Sequence, residues 1–302
     1  MFFSASRGAF VAFSPDGMHW DDLIPVPRHE GGNRPSAFWS PHLGKYVVIT
    51  RRNSEFGRRQ VTQTESPDFV TWRRERSIME GSTPQVQTHD MIVFPTCGVY
   101  IGLVGVMVFP EEDSDRGVKQ HAELAWSPDT VTWHRIQEGT PFIGHTPTAR
   151  EQYGETPYDW GTIFAAAPIL HDDEVRIYYG AGDWHFFEWR KGYLALATLR
   201  PDGWAGYEPI SAESTAVITT ELLEFGGETF GITADLDDGG SVQVEVVDAE
   251  NNISAASQPI GNTVTDGSVV WNADGGTDGL SRKWARLRFR LHKAKLYGFQ
   301  LG

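Results

Sequence analysis

One seven-residue motif occurs three times in the first half of the chain and constrains its fold more than any other feature. It reads SPDGMHW at residues 14–20, SPDFVTW at residues 66–72 and SPDTVTW at residues 127–133. The proline presets the φ angle of a turn, and the aspartate can accept hydrogen bonds from backbone amides two residues further on. Each copy follows a short strand candidate, and its tryptophan opens the next segment. The same strand–turn–strand unit therefore returns along the chain.

The spacing of these copies predicts an all-β propeller. Apolar strand candidates such as KYVVITRR (residues 45–52) and VYIGLVGVMVF (residues 99–109) lie between the turns. A period of about 50 to 60 residues with about four strands in each is typical of β-propeller blades. The alternative is a β-sandwich with three similar hairpins, but sandwiches rarely repeat one turn at blade spacing. A degenerate fourth copy, LRPDGW, follows at residues 199–204.

The pattern of strand and turn residues changes after this fourth copy, which predicts a domain boundary near residue 209. The connector YEPISAEST (residues 207–215) is polar and lacks strong periodicity. From Ala216 onward, short strand candidates alternate with turn clusters, and residues 284–301 alternate apolar with basic side chains. Such alternation is typical of antiparallel strands with one wet face. We therefore expect a partial five-bladed β-propeller at residues 1–209 and a small antiparallel β-sandwich at residues 210–302.

Composition excludes several classes of partner and cofactor. The chain has 26 basic and 40 acidic residues, and its net charge of −14 repels phosphate backbones and anionic lipid surfaces. We therefore expect neither nucleic acid nor membrane as a partner. Cys97 is the only cysteine, so an internal disulfide is excluded, and we expect a small buried apolar side chain there. Histidine pairs with metal-ligand spacing and phosphate-binding loops are also missing, which predicts chemistry without a metal or cofactor.

The N-terminal sequence does not indicate where the protein is located. As written, the chain starts without a signal peptide and has no run of membrane-spanning length. We expect a cytoplasmic protein if this start is the natural one, and a secreted protein remains open if an N-terminal part is missing.

Three polar segments are candidates for the walls of a functional funnel. The innermost strands of a propeller surround a central space, so polar residues at their starts project toward a ligand. Arg34 stands at the first such start, His89 and Asp90 at the second, and Asp159 with Trp160 at the third. Hydrolysis of a glycosidic bond needs two carboxyl groups, so Asp90 and Asp159 are the catalytic candidates. Arg34, His89 and Trp160 are candidates for binding substrate. A turn-forming role is the alternative for both aspartates.

Further polar residues follow other strands. Asp183, Trp184 and His185 come after the strand candidate VRIYYGAG and combine an acid, an aromatic ring and an imidazole, which suits a sugar-binding rim. Glu123 in HAELAW is expected to flank a strand, and at least one of the two arginines at 51 and 52 is expected to be solvated. The acidic cluster at residues 172–174 is typical of a solvated hairpin tip rather than a calcium site.

The ordered motifs SPDGMHW, GKYVVITRR, HAELAWSPDTVTWHR and DDEVRIYYGAGDWH, with the ending LRFRLHKAKLYGF, resemble a known group of enzymes. They are similar to the five-bladed propeller glycosidases related to glycoside hydrolase family 32, the invertase and fructosidase family, and also to family 43. The likeness is to bacterial members with a C-terminal β-sandwich and spans nearly the whole chain. It implies hydrolysis of a neutral oligosaccharide or polysaccharide, such as a fructoside or arabinoside, by carboxylate acid/base chemistry.

The chain also departs from that family pattern. Its propeller part supplies three full blades and part of a fourth, and no counterpart of the family's first-blade aspartate is present, so we expect the first blade to be missing. The family's Arg-Asp-Pro motif is replaced by NRPS at residues 33–36, and its Glu-Cys pair is not matched at Glu123. A non-catalytic carbohydrate-binding propeller is therefore one alternative. A sialidase-type propeller is another, although its repeated turn is one residue longer and it needs an arginine triad.

Overall fold

The computed structural model describes residues 1–5, 8–27, 32, 34–96, 98–110, 115–146, 156–225, 229–248, 250–272 and 284–301. These residues form β-strands and include no helix, which confirms the all-β prediction for this part of the chain. A helix with the length and apolarity needed to cross a membrane is accordingly not found among them. Asn33 and Cys97 lie outside the described residues.

The chain divides into two compact units. The first comprises Met1–Ile169 and Arg176–Thr198, and the second comprises Leu170–Val175 and Leu199–Gly302. The main division thus falls at residues 198 and 199, before the LRPDGW segment, whereas the sequence suggested a boundary near residue 209.

Two antiparallel sheets open the first unit. The three-stranded sheet is β1 (Phe2–Ala5), β2 (Gly8–Val11) and β3 (Ile24–Val26). The four-stranded sheet has the order β4 (Ser36–Ser40), β5 (Lys45–Asn53), β6 (Arg59–Ser66) and β7 (Arg76–Glu80). This meander of four neighbouring strands has the size and strand order of a propeller blade.

The strands between residues 86 and 199 follow in chain order. They are β8 (Val86–Thr96), β9 (Val99–Val108), β10 (Lys119–Ser127), β11 (His134–Arg135), β12 (Thr162–Ala165), β13 (Ile169–His171), β14 (Glu174–Gly182) and β15 (Gly192–Leu199).

These strands are joined into one sheet at a single parallel pairing. Strands β8, β9 and β10 pair antiparallel, and β12 joins β10 where Gln120 pairs with Thr162. Strand β14 then pairs antiparallel with β12. Strands that the repeat spacing assigns to two successive blades are therefore hydrogen-bonded together here.

The repeated turns form as the sequence predicts. The Asp129 carboxylate accepts hydrogen bonds from the amides of Val131 at 2.8 Å and Thr132 at 2.7 Å. The carboxylates of Asp16 and Asp68 accept the equivalent pairs of amide bonds. The residue after each aspartate is left-handed, with φ of 75° at Gly17, 64° at Phe69 and 67° at Thr130.

The main core of the first unit lies between the four-stranded sheet and the β8–β9 hairpin. Alternate residues of β5 and β6, namely Val47, Ile49 and Val61, are fully buried against Met91 of β8 and Val104 of β9. Because side chains alternate across a strand, this one face of β5 and β6 is fixed toward the core.

The second unit is built around two long paired strands. Its strands are β16 (Thr215–Thr219), β17 (Leu223–Glu224), β18 (Phe230–Val247), β19 (Ile253–Ala256), β20 (Val264–Ser268) and β21 (Trp284–Leu301). Strands β18 and β21 pair antiparallel, with a register shift between Leu236 and Ser241, and the shorter strands flank them in one six-stranded sheet.

The predicted alternation in β21 is confirmed. Leu287, Phe289 and Leu291 are buried in the core of the second unit. The arginines between them are only partly buried, and Arg290 donates to the Glu245 carboxylate at 2.8 Å.

Candidate functional site

Polar side chains collect at one end of the sheets of the first unit. Strands β8 and β10 both run antiparallel to β9, and β12 runs parallel to β10, so all three strands begin at the same end. His89 and Asp90 lie in the first half of β8, and Gln120 is the second residue of β10. Asp159 lies just before β12. The topology therefore brings both predicted catalytic residues to the end of the sheet where these strands begin.

His89 and Asp90 lie inside a strand rather than at its start, because β8 begins earlier than the sequence suggested, at Val86. The pairing of β8 with β9 shifts between Thr88 and Asp90, which is the signature of a β-bulge. This irregularity lets two consecutive side chains meet. The Nδ1 atom of His89 lies 3.2 Å from the Oδ1 atom of Asp90.

The Asp90 carboxylate is held on both oxygens. Its side chain is 4% exposed, and its Oδ2 atom forms an ion pair of 2.8 Å with Nη1 of Arg34. The Oδ1 atom accepts a hydrogen bond of 3.4 Å from Nε2 of Gln120, besides its contact with His89. This carboxylate is therefore fixed in orientation.

Arg34 connects Asp90 to β12. Its Nη2 atom donates to the carbonyl of Ala165 at 3.0 Å, and its guanidinium lies 4.6 Å from the ring centroid of Phe164. Arg34 itself is left-handed, with φ of 58°, a conformation that costs energy in a residue other than glycine. The arginine predicted to bind substrate thus uses its N–H groups to bind Asp90 and the backbone.

Gly105 and Gln120 complete the surroundings of Asp90, and sequence reasoning did not identify either. Gly105 pairs with Asp90 across β8 and β9, and a Cβ atom at this position would overlap the Asp90 carboxylate. The side-chain Nε2 of Gln120 also donates to the carbonyl of Ile163 at 3.1 Å. Its backbone N–H donates to the carbonyl of Gly161 at 3.0 Å. Its position at the polar start of KQHAELAW was the available signal.

His89 is buried among aromatic rings. Its ring centroid lies 5.1 Å from that of Phe186 and 6.0 Å from that of Phe164. Burial lowers the pKa of His89; the neighbouring Asp90 carboxylate opposes this shift, and the charges of Arg51 and Arg59 add to it. The imidazole is therefore neutral near pH 7 and can either donate or accept a hydrogen bond.

Asp159 differs from Asp90 in the hydrogen bonding of its carboxylate. The residue is 5% exposed, and its Oδ1 atom makes no hydrogen bond with any described residue. Its backbone carbonyl instead contacts Nδ1 of His145 at 3.0 Å, and Nε2 of His145 is also buried without a described partner. Buried polar atoms in proteins are normally satisfied by protein, water or ligand, so each of these two atoms can take a hydrogen-bond partner other than the described residues.

Titratable neighbours surround Asp159. Burial lowers the pKa of His145, and the nearby charge of Lys119 lowers it further, so this imidazole is also neutral near pH 7. Burial, a hydrogen bond with Tyr158 and the Asp159 charge raise the pKa of Tyr179, which stays protonated. Neither His145 nor Tyr179 was identified from the sequence, because no motif marks them.

Aromatic side chains cluster around Trp160, the residue that follows Asp159. Trp160 and Trp184 stack with ring centroids 5.2 Å apart and planes at 25°, and His185 lies 5.0 Å from Trp160. Nζ of Lys119 lies 3.3 Å from the Trp160 ring centroid. Asp183 has a different position: its carboxylate accepts a hydrogen bond from the Lys191 amide at 2.8 Å, which closes the loop that carries Trp184.

Glu123 lies within β10 rather than beside it, and it is 1% exposed. Its carboxylate contacts Nε2 of His121 at 2.9 Å, is ion-paired with Arg135 and accepts a bond from the Gly139 amide at 3.2 Å. Burial raises the pKa of Glu123, but the hydrogen bonds and the Arg135 charge outweigh it and shift the pKa downward. A carboxylate with this many partners suits a structural role.

No group of three or more side chains suited to hold a metal ion occurs among the described residues.

No protein-family model and no curated protein matches this chain. Among solved structures, one glycoside hydrolase aligns with a TM-score of 0.48 and 17% identity over 65% of this chain and 58% of its own. A β-1,2-mannobiose phosphorylase from Listeria innocua aligns with a TM-score of 0.45 and 16% identity over 64% of this chain and 51% of its own. A family 32 β-fructofuranosidase from Bombyx mori aligns with a TM-score of 0.44 and 11% identity over 97% of this chain and 73% of its own. This chain thus spans less than two thirds of the length of the first two structures.

Proposed function

We propose that this protein hydrolyses O-glycosidic bonds, with Asp159 as the proton-transferring group and Asp90 as the second carboxylate. The observation that carries the proposal is the state of Asp159: a buried carboxyl group with one oxygen that makes no hydrogen bond to a described residue, next to the stacked rings of Trp160 and Trp184. Tryptophan rings offer an apolar face to sugar rings, and a carboxyl group within reach can exchange a proton with a glycosidic oxygen.

The two carboxyl groups suit different tasks. Asp90 has both oxygens engaged by Arg34, His89 and Gln120, so it provides a fixed negative charge next to the ligand space. Such a charge favours the oxocarbenium-like transition state of glycoside hydrolysis. Asp159 has an available oxygen and can give a proton to the leaving oxygen or take one from water.

Gln120 links Asp90 to the chain segment that carries Asp159. Its side chain contacts Asp90, and its backbone N–H donates to the carbonyl of Gly161, two residues beyond Asp159. Together with Trp160, Trp184 and His185, these groups form the proposed substrate site. His89 and Arg34 act by holding Asp90.

The family and architecture are proposed from the sequence. We propose a relative of the five-bladed propeller glycosidases near families 32 and 43, with a propeller domain at residues 1–209 and a β-sandwich at residues 210–302. The ordered motifs, the three turns and the four-stranded meander of β4 to β7 support this assignment. In this family the expected substrate is a neutral fructoside or arabinoside.

A carbohydrate-binding protein without turnover is the second candidate. It is favoured by the engagement of both Asp90 oxygens, which leaves Asp159 as the only one of the two with an available oxygen.

Asp159→Asn separates these functions. Asparagine keeps nearly the same volume and can bond a hydroxyl, but it cannot transfer a proton at neutral pH. We expect kcat on aryl glycosides and fructans to fall by about 10²- to 10⁴-fold while sugar binding survives. The control is Asp172→Asn, because Asp172 is exposed at a hairpin tip with φ of 53°, which asparagine tolerates. Equal rates for Asp159→Asn and the unchanged protein would remove Asp159 from the reaction and favour the binding function.

A further inference from the structure

A cleft of about 410 Å³ opens in the first unit at the same end as the candidate site. It lies between the tip of the β5–β6 hairpin, the turn before β8 and the end of β9. The side chains that give it its character are Phe56, Arg58, Arg59, Gln87, Phe109 and Asp115.

The β5–β6 hairpin supplies Arg58 and Arg59 to this cleft. Pairing of Arg51 with Val61, and of Asn53 with Arg59, places Arg51 and Arg59 on the buried face that also carries Ile49. The guanidinium of Arg59 lies 5.5 Å from the ring centroid of Phe187 and 5.9 Å from that of Phe109.

The arginines Arg51 and Arg59 are partly buried. Burial lowers the pKa of Arg59 and the charge of Arg51 lowers it further, whereas Asp115 acts in the opposite direction. Burial also lowers the pKa of Arg51, against the influence of Asp90. The like charges of Arg51 and Arg59 thus oppose each other, in a chain whose net charge is −14.

Several arginines elsewhere in the described chain form ion pairs. Arg76 is ion-paired with Glu65 and Arg135 with Glu123. By contrast, Arg51, Arg58 and Arg59 take part in no ion pair among the described residues, and Nε of Arg59 is buried without a hydrogen bond to them. Nη1 of Arg59 donates to a neutral acceptor, Oε1 of Gln87, at 3.3 Å.

We propose that this cleft binds the carboxylate of an acidic saccharide. A guanidinium group matches a carboxylate with two parallel N–H donors, and such charge-assisted bonds are the strong ones. Phe56, which is 87% exposed at the cleft, offers an apolar face to the sugar ring that bears the carboxylate. An inorganic anion would use the arginines but gain nothing from this ring.

The inference rests on the proposed function for the sugar and changes its expected class from neutral to acidic. Arg51 shares a strand face with the cleft residue Arg59, and the cleft lies at the end of β8 and β9 where Asp90 is found, so a bound saccharide extends from the cleft toward the candidate site. The overall negative charge does not prevent this, because charges beyond about 8 Å are largely screened at physiological ionic strength.

The test is calorimetric titration of the full chain with a trisaccharide of uronic acids, the matching neutral trisaccharide, and inorganic sulfate. We expect the acidic trisaccharide to bind at least about 10-fold more tightly than the neutral one, as one charge-assisted hydrogen bond provides. Arg59→Gln should remove that preference. Arg58→Gln, at an exposed position that folding tolerates, should reduce it. Arg74→Gln is the matched control, because Arg74 is exposed in the same unit and remote from the cleft residues in sequence.

Equal affinity for the acidic and neutral trisaccharides would overturn the proposal, and so would sulfate binding as tightly as the acidic trisaccharide. The outcome is separate from that of the hydrolysis test. If hydrolysis depends on Asp159 but the acidic trisaccharide is not preferred, only the proposed carboxylate-binding cleft is rejected. If the acidic trisaccharide is preferred but no such hydrolysis occurs, only the proposed enzymatic function is rejected.

Discussion

Gly105 shows how strictly the surroundings of Asp90 are built. It faces Asp90 across β8 and β9, and an added Cβ atom would overlap the carboxylate Oδ1 and crowd Nε2 of Gln120. Gly105→Ala therefore forces Asp90 out of its contacts with Arg34 and Gln120. We expect a loss of about 1 to 3 kcal/mol in the free energy of unfolding, as in other overpacked sites. Urea denaturation followed by tryptophan fluorescence measures this loss.

Gly180→Ala is the matched control for this prediction. Gly180 lies in β14, and an added Cβ atom would meet only the Cβ of Phe164 at 3.8 Å, an ordinary contact. This substitution should leave stability unchanged or raise it by about 0.4 to 1 kcal/mol, because alanine restricts the unfolded chain. If both variants lose the same stability, the steric account of Gly105 is wrong.

At the scale of residues, sequence reasoning identified side chains that stand next to apolar strands. Asp159, Trp160 and Trp184 are of this kind, and the structure brings them together. Gly105 and His145 could not be found in this way. Their importance depends on which residue lies opposite in a neighbouring strand or loop, and no local pattern encodes that register.

At the scale of elements, the turn at residues 127–133 combines local bonds with a tertiary link. Asp129 organises the turn by accepting bonds from two amides and from the Ser127 hydroxyl at 3.1 Å. The left-handed Thr130 then accepts a buried hydrogen bond of 2.7 Å from Gln63 of β6. The turn thus fixes the contact between the β4–β7 sheet and the strand that follows β9.

Asp129→Ala removes the acceptor for these amides. We expect it to cost about 1 kcal/mol, as loss of a comparable side-chain cap does, and to lower Tm by about 2 to 4 °C. Asp129→Asn keeps one side-chain oxygen and should lose less than half as much. Differential scanning calorimetry compares the two variants. Equal Tm for Asp129→Ala and the unchanged protein would show that the turn forms without its aspartate.

These turns and most strands were accessible from the sequence because their signals are local. The joining of β10 to β12 was not, since the parallel pair of Gln120 and Thr162 closes a long segment of chain. The same pairing places Gln120 between Asp90 and the chain segment that carries Asp159. The part of the site that local patterns missed therefore depends on this long-range contact.

At the scale of the whole molecule, acid should destabilise the fold in two separate ranges of pH. Burial lowers the pKa of His89 and His145, so their neutral forms are favoured in the folded state. Amide hydrogen bonds lower the pKa of Asp68 to about 2, and hydrogen bonds that outweigh burial lower the pKa of Asp129. The histidines and the carboxylates are thus shifted in the same direction but titrate in different ranges.

The histidines act first as pH falls. Above about pH 6.5, the usual pKa of histidine, both states are neutral at these positions and stability is independent of their protonation. Below this value the unfolded chain binds protons that the folded state resists. The free energy of unfolding then falls by up to about 1.4 kcal/mol per pH unit for each histidine, until the folded pKa is reached. The carboxylates stabilise the fold above their ordinary pKa, and their contribution is lost only below about pH 4.

Urea denaturation at pH 7.5, 6.0 and 5.0 measures the first range. We expect stability to decrease between pH 6.5 and 5.0 in the unchanged protein. The double substitution His89→Gln and His145→Gln should reduce this slope, because glutamine does not titrate. His42→Gln is the control, since His42 is exposed in the β4–β5 turn, and it should keep the slope of the unchanged protein. A double variant that loses stability with acid as steeply as the unchanged protein would show that other groups cause the effect.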